Sequence, residues 1–173
     1  MPVFAIADTH LGDKELVATE RKQFANVDEH DNTIVKNVLA TCGKSDSLYI
    51  IGDVVEIKER LPMLKTICDN VGRVYIVLGN HDSMPNRHSN RPSAQELLNC
   101  GVRELFGMTS YHHCTLTHAP LHPNICNMDN GWRNIHGHLH GKVEFGEQYL
   151  NISCPAVDYT PLNIDEWLEE QDD

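Results

Sequence analysis

Five short stretches of the sequence place acid, amide or imidazole groups directly after an apolar run. They are Asp8-Thr9-His10, Gly52-Asp53, Gly79-Asn80-His81-Asp82, His118, and Gly137-His138-Leu139-His140. Such groups are costly to bury together unless something positive holds them, and two divalent metal ions would do so. The donors are carboxylates, imidazoles and one amide, with no thiolate. That set suits manganese first, with iron, nickel, zinc or cobalt also compatible, over Cu(I) or an iron–sulfur cluster. Asp8 and His10, like His138 and His140, have the i, i+2 spacing that sends two side chains to one side of an extended segment. Glycines 52, 79 and 137 precede donor residues, where the backbone must turn sharply and approach an ion closely.

The elements that must position these groups are legible in the apolar pattern. Val3–Ala7 and Ser47–Ile51 read as short buried strands, and residues 74–78 as a third. Ile34, Val35, Val38, Leu39 and Cys42 recur at helical spacing behind the acids Asp28, Glu29 and Asp31, with Gly43 as a stop. Leu61, Leu64, Ile67 and Cys68 mark a second helix, with Pro62 tolerable in its first turn. Ser93-Ala94-Gln95-Glu96 is a capping box ahead of a third, which Gly101 ends. The first hundred residues therefore read β-α-β-α-β-α, the pattern of a largely parallel sheet. Short β-like runs follow at 102–106, Cys114–Thr117, 134–136, 142–145 and 149–152, and these predict a second sheet. Two sheets packed face to face with helices outside is the simplest arrangement. Every donor group then lies just past a strand end, where open α/β sheets place their sites. Residues 84–92 and 119–133 are expected to be loops near the site.

Length allows one ordinary domain over residues 1–173. The formal net charge of −11 disfavours docking on long nucleic acid or an anionic membrane. Residues 165–173 hold much of the acid excess and read as a solvated terminal helix or tail. None of the six cysteines forms a Cys-x-x-Cys pair, and the start lacks a basic or secretory signal pattern, so a reduced cytoplasmic location is expected. No apolar run reaches the length of a membrane span.

The five motifs, in this order over residues 8–140, resemble those of the calcineurin-like metallophosphoesterase superfamily: Asp-x-His, Gly-Asp, Gly-Asn-His-Asp, a lone His, and Gly-His-x-His. The short intervals between them, and Tyr149, Asn151, Tyr159 and Pro161 in the tail, resemble the small uncapped bacterial and phage members. The resemblance implies a two-sheet β-sandwich flanked by helices in four α/β/β/α layers. It implies that Asp8, His10 and His140 bind one metal, that Asn80, His118 and His138 bind a second, and that Asp53 bridges both. His81 would be catalytic rather than a ligand. Asp82 is its neighbour in sequence. Glu56 stands where the protein phosphatases of this superfamily carry the orienting aspartate. Ile57 stands where those phosphatases carry a phosphate-binding arginine, which argues against a phosphoprotein phosphatase.

The activity implied is hydrolysis of a small phosphoester, in which a hydroxide shared by two metals attacks phosphorus in line and His81 protonates the departing alkoxide. Phosphodiesters are favoured, nucleotidic or 2′,3′-cyclic ones among them, because the phosphate-gripping arginine of the monoesterases is absent. A phosphomonoesterase or nucleotide pyrophosphohydrolase with the same metals is the alternative. A protein-binding scaffold of the same fold is a third reading, disfavoured by the intact His81. Arg21, Arg87, Arg91 and Arg133 fall in expected loops, and Arg87 and Arg91 lie closest to the Gly-Asn-His-Asp turn. Arg87, Arg91 and His122 are the candidate substrate contacts. His30, His88 and the pair His112-His113 receive no role, and His136 is expected to point away from the site. Native metal, oligomeric state and physiological substrate are not legible.

Overall fold

A computed structural model describes residues 1–82, 90–125, 131–140 and 146–172. The expected strand over 142–145 lies outside the described residues, as do Arg87, His88 and Cys126.

Four parallel strands and one antiparallel edge strand form the first sheet. In chain order they are β1 (Val3–Ala7), β2 (Ser47–Ile51), β3 (Arg73–Val77), β4 (Glu104–Phe106) and, late in the chain, β9 (Leu162–Asn163). Their spatial order is β4-β3-β2-β1-β9. The second sheet has the order β5-β6-β7-β8, built from Thr109–Tyr111, Cys114–Thr117, Arg133–His136 and Tyr149–Asn151. The run at 102–106, expected in the second sheet, belongs to the first. Its Glu104, Leu105 and Phe106 pair in parallel with Tyr75, Ile76 and Val77. Apolar alternation shows which face a strand buries, but not which sheet it joins.

That alternation builds the layers. Phe4, Ile6, Leu48, Ile50, Val74 and Ile76 face helices α2 (Val27–Thr41), α3 (Leu61–Asn70) and α4 (Ala94–Asn99), packing with Ile34, Val38, Leu64, Ile67 and Leu97. Val3, Ala5, Ala7, Ile51 and Val77 point the other way, onto Cys114, Leu116, Ile135 and Ile152 of the second sheet's side. This second core also takes Ile164, Trp167 and Leu168 of the terminal helix α5 (Ile164–Asp172). The two sheets flanked by helices agree with the expected architecture. The capping box of α4 is present, with Ser93 and Glu96 satisfying each other's backbone N–H groups. The pair His112-His113 forms the turn between β5 and β6, with His112 at φ 48°. Among the described residues, no helix is long and apolar enough to cross a membrane.

The sheets are tied together at the site. Ala7 N–H donates to Ile152 O, and Cys154 N–H donates back to Ala7 O. The end of β1 thus touches the segment that leaves β8. A short helix, α1 (Lys14–Thr19), follows the Asp-x-His turn.

Candidate metal centre

Residues 8–11 continue from β1 alongside residues 52–55. Asp8 N–H donates to Gly52 O, His10 N–H to Asp53 O at 2.8 Å, and Leu11 N–H to Val54 O at 3.0 Å. The side chains do not follow strand geometry there. Asp8, His10, Asp53, His138 and His140 all have positive φ, between 43° and 70°. The expectation that i, i+2 alternation on an extended segment brings each pair together is therefore corrected: left-handed turns do it. Asp and His tolerate this region better than most residues, yet each such position costs about 1–3 kcal/mol. Five at one place mark a site that the surrounding fold holds in shape.

The glycines make room for the site's side chains, and Gly52 also takes the positive φ of a sharp turn, 77°. A Cβ on Gly52 would sit 2.1 Å from His118 Nδ1, one on Gly79 2.2 Å from Asp53 Oδ1, and one on Gly137 2.4 Å from Asp8 Oδ2.

Each central aspartate divides its oxygens. Asp8 Oδ2 accepts from His138 N–H at 2.8 Å, and Asp53 Oδ1 accepts from His81 N–H at 2.8 Å. The remaining oxygens face imidazoles. Asp8 Oδ1 is 3.5 Å from His140 Nε2 and 4.0 Å from His10 Nε2. Asp53 Oδ2 is 3.3 Å from His118 Nε2, 3.6 Å from His10 Nε2 and 4.0 Å from His81 Nε2. Asn80 Oδ1 lies 3.0 Å from His118 Nε2, which is 3.1 Å from His138 Nδ1. The structure thus gathers Asp8, His10 and His140 into one group and Asp53, Asn80, His118 and His138 into another, with Asp53 Oδ2 between them.

Four of these imidazoles have an acceptor behind Nδ1. His10 Nδ1 lies 3.6 Å from Asp13 Oδ2, His140 Nδ1 3.5 Å from Glu20 Oε2, His81 Nδ1 2.8 Å from Glu56 Oε2, and His118 Nδ1 3.3 Å from Ile51 O. In His10, His118 and His140 a proton kept on Nδ1 leaves the Nε2 lone pair for the centre, the usual arrangement behind a metal-binding histidine. His10, Asp13, Glu56 and His81 also cluster within 4.8 Å. This group reads as support rather than a third ion site, because His10 already turns Nε2 toward the centre.

Burial alone would raise the Asp8 carboxyl, but His140, His118 and His10 outweigh it and hold it below the ordinary carboxylate range. Burial likewise opposes ionisation of Asp53, and the hydrogen bond and charge of His118 override it, so Asp53 is held low too. His10 is pushed down to about 3, chiefly by burial, so its ring is neutral at ordinary pH. His118 feels burial in the same direction, but the hydrogen bond and charge of Asp53 carry it above its ordinary value.

His81 sits at the edge, its side chain 31% exposed. The hydrogen bond to Glu56 raises its pKa against burial and against the nearby charge of Arg91. Arg91 does not reach openly into the site. Its Nε donates to Glu56 Oε1 at 2.6 Å, and Nη2 lies 2.7 Å from His81 Nδ1. Asp82 contacts the backbone instead of the His81 ring: its carboxylate accepts from the N–H groups of Asp53 (2.7 Å), Val54 (3.0 Å) and Gly79 (2.9 Å). It clamps the turns after β2 and β3, and of the two orienting candidates only Glu56 touches the ring.

His122 is exposed, with Nδ1 accepting from Asn124 N–H at 3.3 Å, and it joins none of the clusters. Arg133 opens β7 rather than a loop, its guanidinium 5.8 Å from the Trp167 ring centre. His136 is buried, with Nδ1 near its neighbour's carbonyl, Gly137 O. Arg21 and His30 are wholly buried. Sequence reasoning missed Asp13 and Glu20, and named Arg21 only as a loop arginine, without its burial against Asp8. The one available signal was Asp13 as the N-cap ahead of a short helical run.

The residues present fit divalent metal. Asp8 Oδ1 and His10 Nε2 are buried without a hydrogen-bond partner, a costly condition unless a cation supplies the missing contacts.

The family model described as Calcineurin-like phosphoesterase matches residues 1–173. An uncharacterized protein of Methanocaldococcus jannaschii is 24% identical over 94% of this chain and 87% of its own length. The gene 66 protein of Mycobacterium phage L5 is 37% identical over 78 residues, 44% of this chain and 37% of that protein. Among solved structures, a protein of unknown function from Aquifex aeolicus superposes with a TM-score of 0.71 at 21% identity. That match covers 97% of this chain and 98% of the other, and it shows a shared fold.

Proposed function

The chain belongs to the calcineurin-like phosphoesterases, and from that premise we propose that it is a two-metal phosphodiesterase acting on small substrates, nucleotidic or 2′,3′-cyclic esters first among them. The observation that carries this reading is Asp53 Oδ2, which His10 Nε2 approaches to 3.6 Å from one group and His118 Nε2 to 3.3 Å from the other. A carboxylate oxygen so placed is the natural shared ligand of two ions. Asp8, His10 and His140 would hold one ion, and Asn80, His118 and His138 the other. Once bound, the ions supply Lewis acidity and a water of lowered pKa.

The chain's own groups supply the rest. His81, kept protonated by Glu56, presents Nε2–H toward the leaving-group oxygen and transfers that proton as the P–O bond breaks. Glu56 holds the ring in orientation, and Arg91 braces Glu56. With Arg91 occupied in this way, a singly charged diester needs less cationic help than a doubly charged monoester. The exposed Asn80 and His138 leave the mouth open to varied leaving groups.

The test is turnover of bis-p-nitrophenyl phosphate against p-nitrophenyl phosphate, on chelator-stripped chain reloaded with manganese. Faster diester turnover is expected. Faster monoester turnover would overturn the diester assignment. Two bound ions with neither turnover would point to a scaffold of this fold.

A further inference from the structure

The largest fully buried side chain is a cation, Arg21, at 0% exposure. Among its described hydrogen bonds none goes to a carboxylate. Nη2 donates to the backbone carbonyl of Asp8 at 2.7 Å, and Nη1 lies 2.6 Å from His30 Nε2. A guanidinium only donates, so His30 must accept on Nε2 and carry its proton on Nδ1. That proton then reaches Asp31 Oδ1 at 2.8 Å. The Tyr159 ring lies 5.6 Å from the guanidinium carbon, and Phe24 packs edge-on to both Tyr159 and His30. Arg21 Nε has no hydrogen-bond partner. A charge buried on these terms is costly, and an apolar side chain of similar volume would be the cheaper filler.

The neighbours of Arg21 suggest its task. It follows directly on α1, the helix of residues 14–19. The N-cap of that helix, Asp13, uses Oδ1 to accept from Leu16 N–H and turns Oδ2 to His10 Nδ1. The C-cap, Glu20, faces His140 Nδ1. Asp13, Glu20 and Arg21 therefore stand behind His10, His140 and Asp8, one for each member of the buried group. No described side chain of this segment stands behind Asn80, His118 or His138.

We propose that residues 13–21 form a bracket that positions the Asp8/His10/His140 half of the centre, with Arg21 as its principal positioning residue, holding Asp8 in its left-handed turn through the main-chain carbonyl. This rests on the two-ion reading above. The bracket sets the affinity of its own half more strongly than that of the other, which Asp8 touches only through the His138 backbone N–H and, at 4.0 Å, His118 Nδ1; a merely structural residue would weaken both alike.

The test is manganese binding by calorimetry and metal analysis, with paramagnetic resonance to separate a spin-coupled pair from a lone ion. It uses the full chain and the variants Arg21→Gln and Arg21→Lys, each checked for folding by circular dichroism. In Arg21→Gln, one ion should bind as in the parent and the other about 10- to 100-fold more weakly, as for other groups behind metal ligands, with the coupled signal giving way to a lone-ion spectrum. Arg21→Lys, which keeps the charge and one donor, should fall between. If Arg21→Gln does not fold, the same one-sided loss in Arg21→Lys carries the test. Two ions bound with parental affinity in a folded variant, or equal weakening at both halves, would overturn the proposal. A parent chain that binds no divalent ion would instead overturn the two-ion reading itself, and the bracket with it.

Discussion

The two halves of the centre are built differently. Asp8 and His10 are buried, and His10 and His140 each have a carboxylate behind Nδ1. On the other side Asn80 and His138 are exposed, and His118 Nδ1 has a main-chain carbonyl at 3.3 Å, with the Asp8 carboxylate farther off at 4.0 Å. Dry, carboxylate-backed imidazoles are better donors and exchange less readily with water. On the two-ion proposal, the buried half would hold its ion through many turnovers and the open half would exchange ion, substrate and product.

Asp53 joins the halves, so its loss has the largest expected effect. Asp53→Asn should lower ion stoichiometry below two and cut turnover by about 10³-fold or more, since shared-metal stabilisation is worth several kcal/mol. Metal analysis and diester kinetics read both. Retention of two tightly bound ions would break the view of Asp53 as the joint.

His81→Ala should separate chemistry from metal binding. Turnover of an alkyl diester should fall about 10²- to 10⁴-fold, with ion stoichiometry unchanged. The defect should shrink for p-nitrophenolate, which leaves without help. Equal losses for good and poor leaving groups would remove the general-acid role.

The comparison of halves is sharpened by His140→Ala against His138→Ala. The first should weaken the tighter of two binding steps, and the second the weaker step, each by about 10- to 100-fold. Acidity should discriminate in the same way. His118 lies above its ordinary pKa in the ion-free chain, so a proton must leave before Nε2 can bind. His10 stays neutral down to about 3. As pH falls, manganese should therefore leave the open half first, readable as loss of the spin-coupled signal before the lone-ion signal. Simultaneous loss would contradict the asymmetry.

How much of this was legible depended on how local its cause was. β1 and β2 occupy the expected residues because continuous apolar runs bounded by polar turns specify them, and β3 differs by one residue. The candidate donors could be named because five polar motifs occur in one order after apolar runs, an order that also carries the family resemblance. The left-handed turns at Asp8, His10, His138 and His140 were not legible, since i, i+2 spacing is equally compatible with an extended segment. β5 and β9 are too short to show a period. Asp13 and Glu20 gave no signal of this role and Arg21 read as an ordinary loop arginine, because only tertiary folding brings them behind the donors.

The smallest effect is expected at Glu56, and it bears on the open edge of the centre. Glu56 raises the His81 pKa through the 2.8 Å hydrogen bond and is itself held low by His81 and Arg91, although burial opposes this. A general acid works while protonated, so the diesterase rate should fall as pH rises through the His81 value. Glu56→Gln removes the charge but keeps an acceptor, so the ring stays oriented while its pKa drops toward the ordinary 6.5. The alkaline limb of the pH–rate profile should move to lower pH, while the maximal rate changes by less than in His81→Ala and ion binding stays as in the parent chain. His10 Nδ1 also lies 4.0 Å from Glu56 Oε2, so a loss of ion affinity in this variant would assign Glu56 to the buried half instead. An unmoved alkaline limb would mean that Asp53, the other carboxylate that raises the His81 pKa, governs its protonation rather than Glu56.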